Sequence, residues 1–439
     1  MINSTSKTEQ TDSWELHVSR WLQLFEQTIT RASTDTLQDL FHEDCHWRDL
    51  LAVTWHVKTV SGIHNILALI QALAAETRPY GFQIPQDHAA PRPVVRAGVD
   101  VIEAIFSFET NVGRSHGVIR LTPDTNNSGQ LKAWSLLTKL EELKGFEEQL
   151  GRHRPSGETY SRDFEGPNWL DLRNIDVRYE ERSPSVVVVG AGQAGLSVAA
   201  RLRQLQVDTL IVEKNDRVGD NWRNRYHALT LHNQVQVNHL PYMPFPPTWP
   251  TYIPKDKLAG WFETYAEAME LNVWTATEVG GGQYDPDKRR WSIELRSSDG
   301  RRQTLTPQHV VMATGVSGIP NLPDDIPSFT DFAGTTVHSE EYTDGIAWQG
   351  RKALVLGTGN SGHDIAQDLY VNGVDVTMIQ RSPTMVVNIE PSAQLPYALY
   401  EEGPSLEDCD LLAAATPLKV LRKMHQLVTE KAKTFDKPL

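Results

Sequence analysis

Two glycine loops hold the residues of this chain whose spacing can do chemistry. The first is Gly190-Ala191-Gly192-Gln193-Ala194-Gly195, directly after the run Ser185–Val189, rich in β-branched residues. In a G-x-G-x-x-G turn between strand and helix, the first glycine permits the tight turn. The second lets the backbone approach a pyrophosphate, and the third lets helix and strand pack closely. Backbone N–H groups at the start of the following helix then face the phosphates. Glu213 ends the next strand, 18 residues beyond Gly195 (213 minus 195), where a carboxylate accepts hydrogen bonds from ribose hydroxyls. The competing reading is an ordinary turn with Glu213 as a solvated strand end. The second loop is Gly357-Thr358-Gly359-Asn360-Ser361-Gly362, after the strand-like Ala353–Leu356. Its next strand, Val374–Gln380, ends in Gln380-Arg381. A neutral side chain followed by a guanidinium removes repulsion against a 2′-phosphate and offers it a partner, which favours NADP over NAD. Arg381 as a plain solvated charge is the alternative.

Other residues belong near these loops. Arg217-Val218-Gly219-Asp220-Asn221-Trp222-Arg223 is placed to close over the first nucleotide, with Trp222 either a contact or core packing. Val310–Gly315 reads as a strand ending in Ala313-Thr314-Gly315, which presents small residues, Thr314 and Gly315, to that nucleotide.

The elements that must position these loops are read from periodicity. Residues 1–12 read as a flexible tail. Val18, Leu22, Phe25 and Ile29 recur at helical spacing, and a short helix comes next over Thr34–Phe41 with Thr34 or Asp35 as its cap. Cys45–Val60 alternates as strands, and Ile63–Ala74 is a third helix. Val94–Phe108, His116–Leu121 and Lys132–Leu140 are strand-like, with Asn126-Asn127-Ser128-Gly129 as a turn. Helices followed by a curled antiparallel sheet make residues 13–148 an α+β domain. Residues 149–184 read as a linker that partly packs on the next domain. Two βαβ units then succeed one another, so the fold class is α/β: two Rossmann-like dinucleotide-binding domains preceded by an α+β cone. Boundaries of 185–332 and 333–439 are expected for the two nucleotide domains.

Bulk properties narrow the partners. The net charge is −14, so the basic footprint of a nucleic-acid binder is not expected. Two cysteines, Cys45 and Cys409, exclude a disulfide framework and fit a reducing compartment. No apolar run approaches ~18 residues, so no membrane partner is expected and the default location is cytoplasmic. The fifteen histidines show no tight ligand spacing, and no metal site is expected.

Between the loops stands Phe332-Ala333-Gly334-Thr335-Thr336-Val337-His338-Ser339-Glu340-Glu341-Tyr342. It fits F-x-G-x-x-x-H-x-x-x-(Y/F) at every fixed position. With the two loops, it makes the chain resemble the class B flavin-dependent monooxygenases, the flavin-containing monooxygenase group. Leu229–Tyr265 is similar to the same region of plant indole-pyruvate monooxygenases and fungal relatives. Residues 13–148 resemble, less specifically, an NTF2/SnoaL-like cone. The resemblance implies FAD at the first loop and NADP at the second. It further implies NADPH-dependent monooxygenation of a small organic substrate by O2 through C4a-hydroperoxyflavin chemistry. The cofactor then carries the difficult chemistry, and the protein positions it. Tyr342, where Baeyer–Villiger members usually carry Trp, points to N- or S-oxygenation or oxidative decarboxylation. His338 becomes a hinge and packing residue between the nucleotides. Asn233 and Asn238, in a loop with His232, are the candidates for a catalytic amide, against a loop whose amides only cap turns. An NADPH-oxidising reductase, an uncoupled truncated flavoprotein and a non-catalytic nucleotide-binding scaffold, with the cone as a homodimer contact, remain the alternatives.

Two expectations concern the ends. Within the cone, Asp49, His56 and Glu103 are candidates for a second acid/base site. After Arg381 there is no second A-T-G, and Pro417–Ala432 reads as a helix capped by Thr416. The second nucleotide domain is therefore expected to be incomplete, unless that helix covers the gap.

Overall fold

The computed structural model describes residues 5–31, 37–73, 77–124, 130–157, 160, 164–316, 318–323, 326–327 and 329–436. The expected cap at Thr34 or Asp35 and the turn Asn126–Gly129 lie outside the described residues. Chain contacts divide the molecule into two units. One comprises Met1–Glu147 with Val387–Leu439, and the other Glu148–Val386.

The first unit opens with helix α1, Thr5–Arg31, so residues 5–12 are helical where a loose tail was expected. Its apolar stripe Val18, Leu22, Phe25 and Ile29 is buried, as the helical spacing requires. A single turn α2, Leu37–Leu40, leads into strand β1, Phe41–Leu50, so Phe41 starts a strand and does not end a helix. Strand β2, Val57–Ser61, helix α3, Ile63–Leu73, and strand β3, Tyr80–Gln83, come after it. The expected strand Val94–Phe108 is two strands, β4 (Arg92–Arg96) and β5 (Val99–Glu109). Ala97 and Gly98 both have positive φ (50° and 79°) and form the two-residue hairpin turn between them. Strands β6, Gly113–Pro123, and β7, Leu131–Leu143, complete the sheet. The order is β2-β1-β7-β6-β5-β3, with β4 also paired to β5. The β1–β7 pair is parallel, and the other pairs are antiparallel.

The second unit begins with a segment that packs. Helix α4, Trp169–Asp176, carries a capping box made by Asn168 and Asp171. Tyr179 is buried, and its hydroxyl donates to Asp208 Oδ1 at 2.7 Å. Strand β8 (Val186–Val189), helix α5 (Gln193–Gln204) and strand β9 (Thr209–Val212) form the first βαβ unit. A single turn α6, Asp220–Arg223, strands β10 (Thr230–Gln234) and β11 (Tyr252–Pro254), and helix α7, Lys255–Ala268, come next. Strand β12, Asn272–Trp274, precedes a three-stranded antiparallel meander: β13 (Thr277–Asp285), β14 (Arg290–Ser297) and β15 (Arg302–Leu305). Strand β16, His309–Met312, closes a parallel sheet of order β12-β9-β8-β16. Side chains alternate across this sheet. Val186, Val188 and Ile211 face α5 and α7, through Leu196, Leu258 and Phe262. Val187, Leu210 and Val212 face the meander, through Ile293, Leu295 and Leu305. Burial on both faces is what a near-continuous apolar strand demands. The second βαβ unit is β17 (Lys352–Leu356), α8 (Asn360–Val371) and β18 (Asp375–Ile379). Its two strands pair in parallel and form a sheet of their own.

The chain then returns to the first unit. Residues 387–439, expected in the second nucleotide domain, group with the cone. Helix α9, Leu406–Ala414, and helix α10, Leu418–Phe435, come after a 3-10 stretch, Ser392–Glu401. Pro417, not Thr416, is the cap of α10. The physical reason for the grouping is the two-sided sheet. Ile102, Phe106, Ile119 and Leu136 face α1 and α3, and their strand neighbours point the other way. Those neighbours, Ile105, Val118 and Leu137, cluster with Leu411, Leu412 and Ala415, while Val101 and Trp134 cluster with Val420. The C-terminal segment is thus a strap over the second face of the sheet.

Candidate functional site

The first glycine loop has the geometry its sequence requires. Gly190 sits at φ 106°, and a Cβ there would lie 2.6 Å from the carbonyl oxygen of Ala313. A Cβ on Gly195 would lie 1.9 Å from the Gly190 carbonyl oxygen, so only glycine allows α5 this close to the turn. Gly192 differs, because the direction its side chain would take meets only Asn221 Nδ2, at 3.5 Å. Here the loop is open, at the N-terminus of a 12-residue helix. Glu213 is buried at the end of β9. Its carboxylate accepts the Ala191 N–H at 2.7 Å and the Asn215 N–H at 2.9 Å, so it braces the loop.

Neighbouring elements converge on this loop. The Gly219 turn (φ 89°) packs against the Ala259 backbone of α7. Trp222 packs with two of the unit's apolar clusters, and its indole N–H is buried without a hydrogen-bond partner. Thr314 and Gly315 come one residue beyond β16, which pairs with β8, and both are exposed. Gly315 takes φ 83°.

The second loop repeats the backbone. Gly357 also has φ 106°, and a Cβ on Gly362 would lie 2.5 Å from the Gly357 carbonyl oxygen. Side-chain directions at Gly357 and Gly359 meet nothing within 4 Å. Thr358 and Thr384 share a hydroxyl hydrogen bond at 2.6 Å. Arg381 is exposed just past β18.

The segment between the loops is anchored to α8. Tyr342 is buried, and its hydroxyl donates to Asp368 Oδ2 at 2.6 Å. The Tyr226 hydroxyl donates to Asp364 Oδ2 at 2.5 Å. Burial and the adjoining carboxylates, Asp368 and Asp364, push both phenols up. His338 is half-buried, and its Nδ1 accepts the Glu340 N–H at 3.2 Å, a local turn bond. Asn238 spends its amide on the Gln234 carbonyl at 2.9 Å, so it shapes its own loop. Asn233 is half-buried beside it.

Three residues at this place were missed by sequence reasoning. Asn221 faces Gly192. Arg225 Nη2 donates to Ser361 Oγ at 3.2 Å, at the start of α8. Asn360 Nδ2 lies 3.4 Å from His232 Nε2, joining the second loop to β10. Asn360 and Ser361 stand inside the motif itself, so they were open to notice; Arg225 had no spacing signal.

The cone candidates do not come together. The Asp49 carboxylate accepts from Thr54 N (2.8 Å), Thr54 Oγ1 (2.6 Å) and Thr138 Oγ1 (2.6 Å), which closes the β1–β2 turn. His56 is exposed. Burial pushes Glu103 up, but Arg96 hydrogen bonds and the Arg120 and Arg96 charges outweigh it and hold the carboxyl at about 2. A carboxylate held so low is a poor base at neutral pH.

Fold and site together define a tandem pair of dinucleotide-type glycine loops on parallel sheets. Residues 187–402 match the family model described as pyridine nucleotide-disulphide oxidoreductase. Both cysteines lie outside those residues, so the match carries no disulfide pair. The chain is 34% identical over 219 residues to the indole-3-pyruvate monooxygenase YUCCA1 of Oryza sativa subsp. japonica, covering 50% of this chain and 53% of the relative. It is 34% identical over 206 residues to the probable indole-3-pyruvate monooxygenase YUCCA3 of Arabidopsis thaliana, covering 46% and 47%. The chain spans about half the length of these curated relatives. Among solved structures, the flavin-containing monooxygenase from Stenotrophomonas maltophilia aligns with a TM-score of 0.43 at 24% identity, over 52% of this chain and 67% of that one. By sequence, about half of the chain is therefore similar to indole-3-pyruvate monooxygenases.

Proposed function

We propose that the chain is an FAD- and NADPH-dependent monooxygenase that oxygenates a small organic substrate. The observation that carries this reading is the doubled loop. Two G-x-G-x-x-G turns share one backbone, with Gly192 and Gly359 both open on the phosphate side. The residues fit the cofactors. Gly192 and the N-terminus of α5 would hold the pyrophosphate of FAD at the first loop, and Glu213, which braces that loop, would be the acceptor for its ribose. Trp222, next to Asn221, packs in the apolar core and keeps a buried indole N–H without a hydrogen-bond partner. The second loop would hold NADP, with Arg381 as the partner for the 2′-phosphate and Arg225, beside Ser361, as a further cation at the start of α8. When bound, the two cofactors supply hydride transfer and oxygen activation; the chain binds them, orients them and excludes water. Tyr342 and Tyr226 hold α8 in place, so they are positioning residues. His232 and Asn233 stand on strand β10, not in a loop, and Asn238 ends the 3-10 turn after it; with His338 they belong to the segments between the two glycine loops, and Thr314 and Gly315 would line the first. Residues 13–148 are read as an NTF2-like cone, and the location as cytoplasmic; among the described residues no helix is long and apolar enough to cross a membrane.

The relatives' names point to aryl pyruvates as the first substrates to try. The test measures NADPH consumption against hydrogen peroxide yield with a panel of amines, thioethers and aryl pyruvates. Substrate-dependent NADPH use with little peroxide supports oxygenation. NADPH use that converts wholly to peroxide with every substrate contradicts it.

A further inference from the structure

The cone sheet holds an ionic cluster that the nucleotide sites do not use. Arg92 on β4, Glu103 on β5 and Arg120 on β6 stand side by side, since Glu103 is in register with both arginines. Arg96 lies further along β4. Glu103 and Arg120 side chains are each only 1% exposed. Arg120 Nε donates to Glu103 Oε2 at 2.9 Å, and Arg96 Nε donates to the same oxygen at 2.8 Å. Arg92 Nη2 and Arg96 Nη2 reach Glu103 Oε1 at 3.3 and 2.7 Å. Three guanidiniums therefore share one carboxylate of the sheet. Burying that excess charge is costly unless a further anion meets it.

The strap supplies the anion. Glu402 Oε1 accepts from Arg96 Nη1 at 2.7 Å, and Oε2 accepts from Arg96 Nη2 at 2.7 Å and from Arg92 Nη2 at 2.8 Å. That is a bidentate fork with a third donor, the geometry by which arginines hold a carboxylate ligand. Arg120 turns its outer nitrogens to the strap backbone and Thr416 and away from Glu402: Nη2 donates to the Leu412 carbonyl at 2.9 Å and Nη1 to Thr416 Oγ1 at 3.3 Å. Glu402 contrasts with Glu103. Its side chain is 30% exposed, and it sits just past the 3-10 stretch, outside α9. Glu103 is a fixed part of the sheet, whereas Glu402 is a carboxylate presented to the sheet from a separate, solvent-reached segment.

We infer that Arg92 and Arg96 form a carboxylate-binding site on the cone, with Glu402 as its resident occupant and small free carboxylates as exchanging ligands. The tether gives Glu402 a high local concentration, so the intact chain binds free carboxylates weakly. Removing the resident side chain exposes the fork and leaves Glu103 and Arg120 to hold it in place.

The experiment uses the full chain and acetate as the probe, with chloride at equal ionic strength as the control. Glu402→Ala is expected to have a lower Tm than wild type in chloride, and acetate is expected to raise that Tm in a saturable way. Acetate binding by calorimetry is expected to be at least tenfold tighter in Glu402→Ala than in wild type. Adding Arg96→Gln to Glu402→Ala is expected to abolish the acetate effect. Should Glu402→Ala fold only in acetate, that rescue supports the site equally. Glu402→Gln keeps the length of the side chain and the strap packing, and is expected to show a smaller acetate response of the same kind. The inference is overturned if acetate and chloride act alike on both variants, if Arg96→Gln leaves the acetate effect unchanged, or if Glu402→Ala folds in neither salt.

Discussion

The two glycine loops share a motif and a backbone but differ in what surrounds them. Gly190 and Gly357 both take φ 106°. Strand β8 lies inside a four-stranded sheet with α5 and α7 on one face and the meander on the other. Among the described residues, strand β17 pairs with β18 alone. Ala353 and Val355 turn toward α8, whereas Leu354 and Leu356, one residue along, are 57% and 47% exposed. A motif sets the turn; the packing of the neighbouring elements sets how much stability depends on it.

The largest expected contrast lies in the strands. Leu210→Ala empties a fully buried place on β9 and should cost about 2–5 kcal/mol. Leu354→Ala on β17 should stay within about 0.5 kcal/mol, since over half of that side chain is already in solvent. Urea unfolding of the full chain measures both; equal losses would remove the difference between the two sheets.

The turns themselves sharpen the contrast. Gly190→Ala combines backbone strain with a close approach to the Ala313 carbonyl and should cost about 3 kcal/mol. Gly357→Ala meets nothing within 4 Å and should show the strain alone, about 1–2 kcal/mol. A larger loss at Gly357 would reverse the ranking.

Arg381 tests what the second loop binds. Losing a hydrogen bond to a charged group costs about 1.5–3 kcal/mol, so Arg381→Ala should weaken NADPH binding roughly ten- to a hundredfold. NADH, without the 2′-phosphate, should be almost unaffected. Fluorescence titration of both nucleotides reads the effect, and equal losses would take Arg381 out of the site.

Much of this was legible in the chain before folding. The strand–glycine–helix order placed β8 to within a residue and put a helix and a second strand after it, because β-branched runs and glycine spacing are local signals. The apolar stripe of α1 was likewise visible. The Ala97-Gly98 turn was missed, since a strand pattern runs through it and alanine rarely takes positive φ. The strap was illegible for a different reason. Leu411, Leu412, Ala415 and Val420 fit helices, but nothing local says that their partners are Ile105, Val118 and Val101, some three hundred residues earlier. Glu103 read as a candidate acid because a lone glutamate in a strand carries no mark of the three arginines that surround it.

Gly192→Val tests the central claim most directly. That position is open in the structure, so the variant should fold with an unfolding midpoint close to wild type while its side chain fills the space a pyrophosphate needs. Bound FAD per chain, measured by absorbance after release, is expected to be stoichiometric in the wild type loaded with FAD and absent in Gly192→Val. A folded Gly192→Val that retains FAD as the wild type does would contradict the assignment of the first loop.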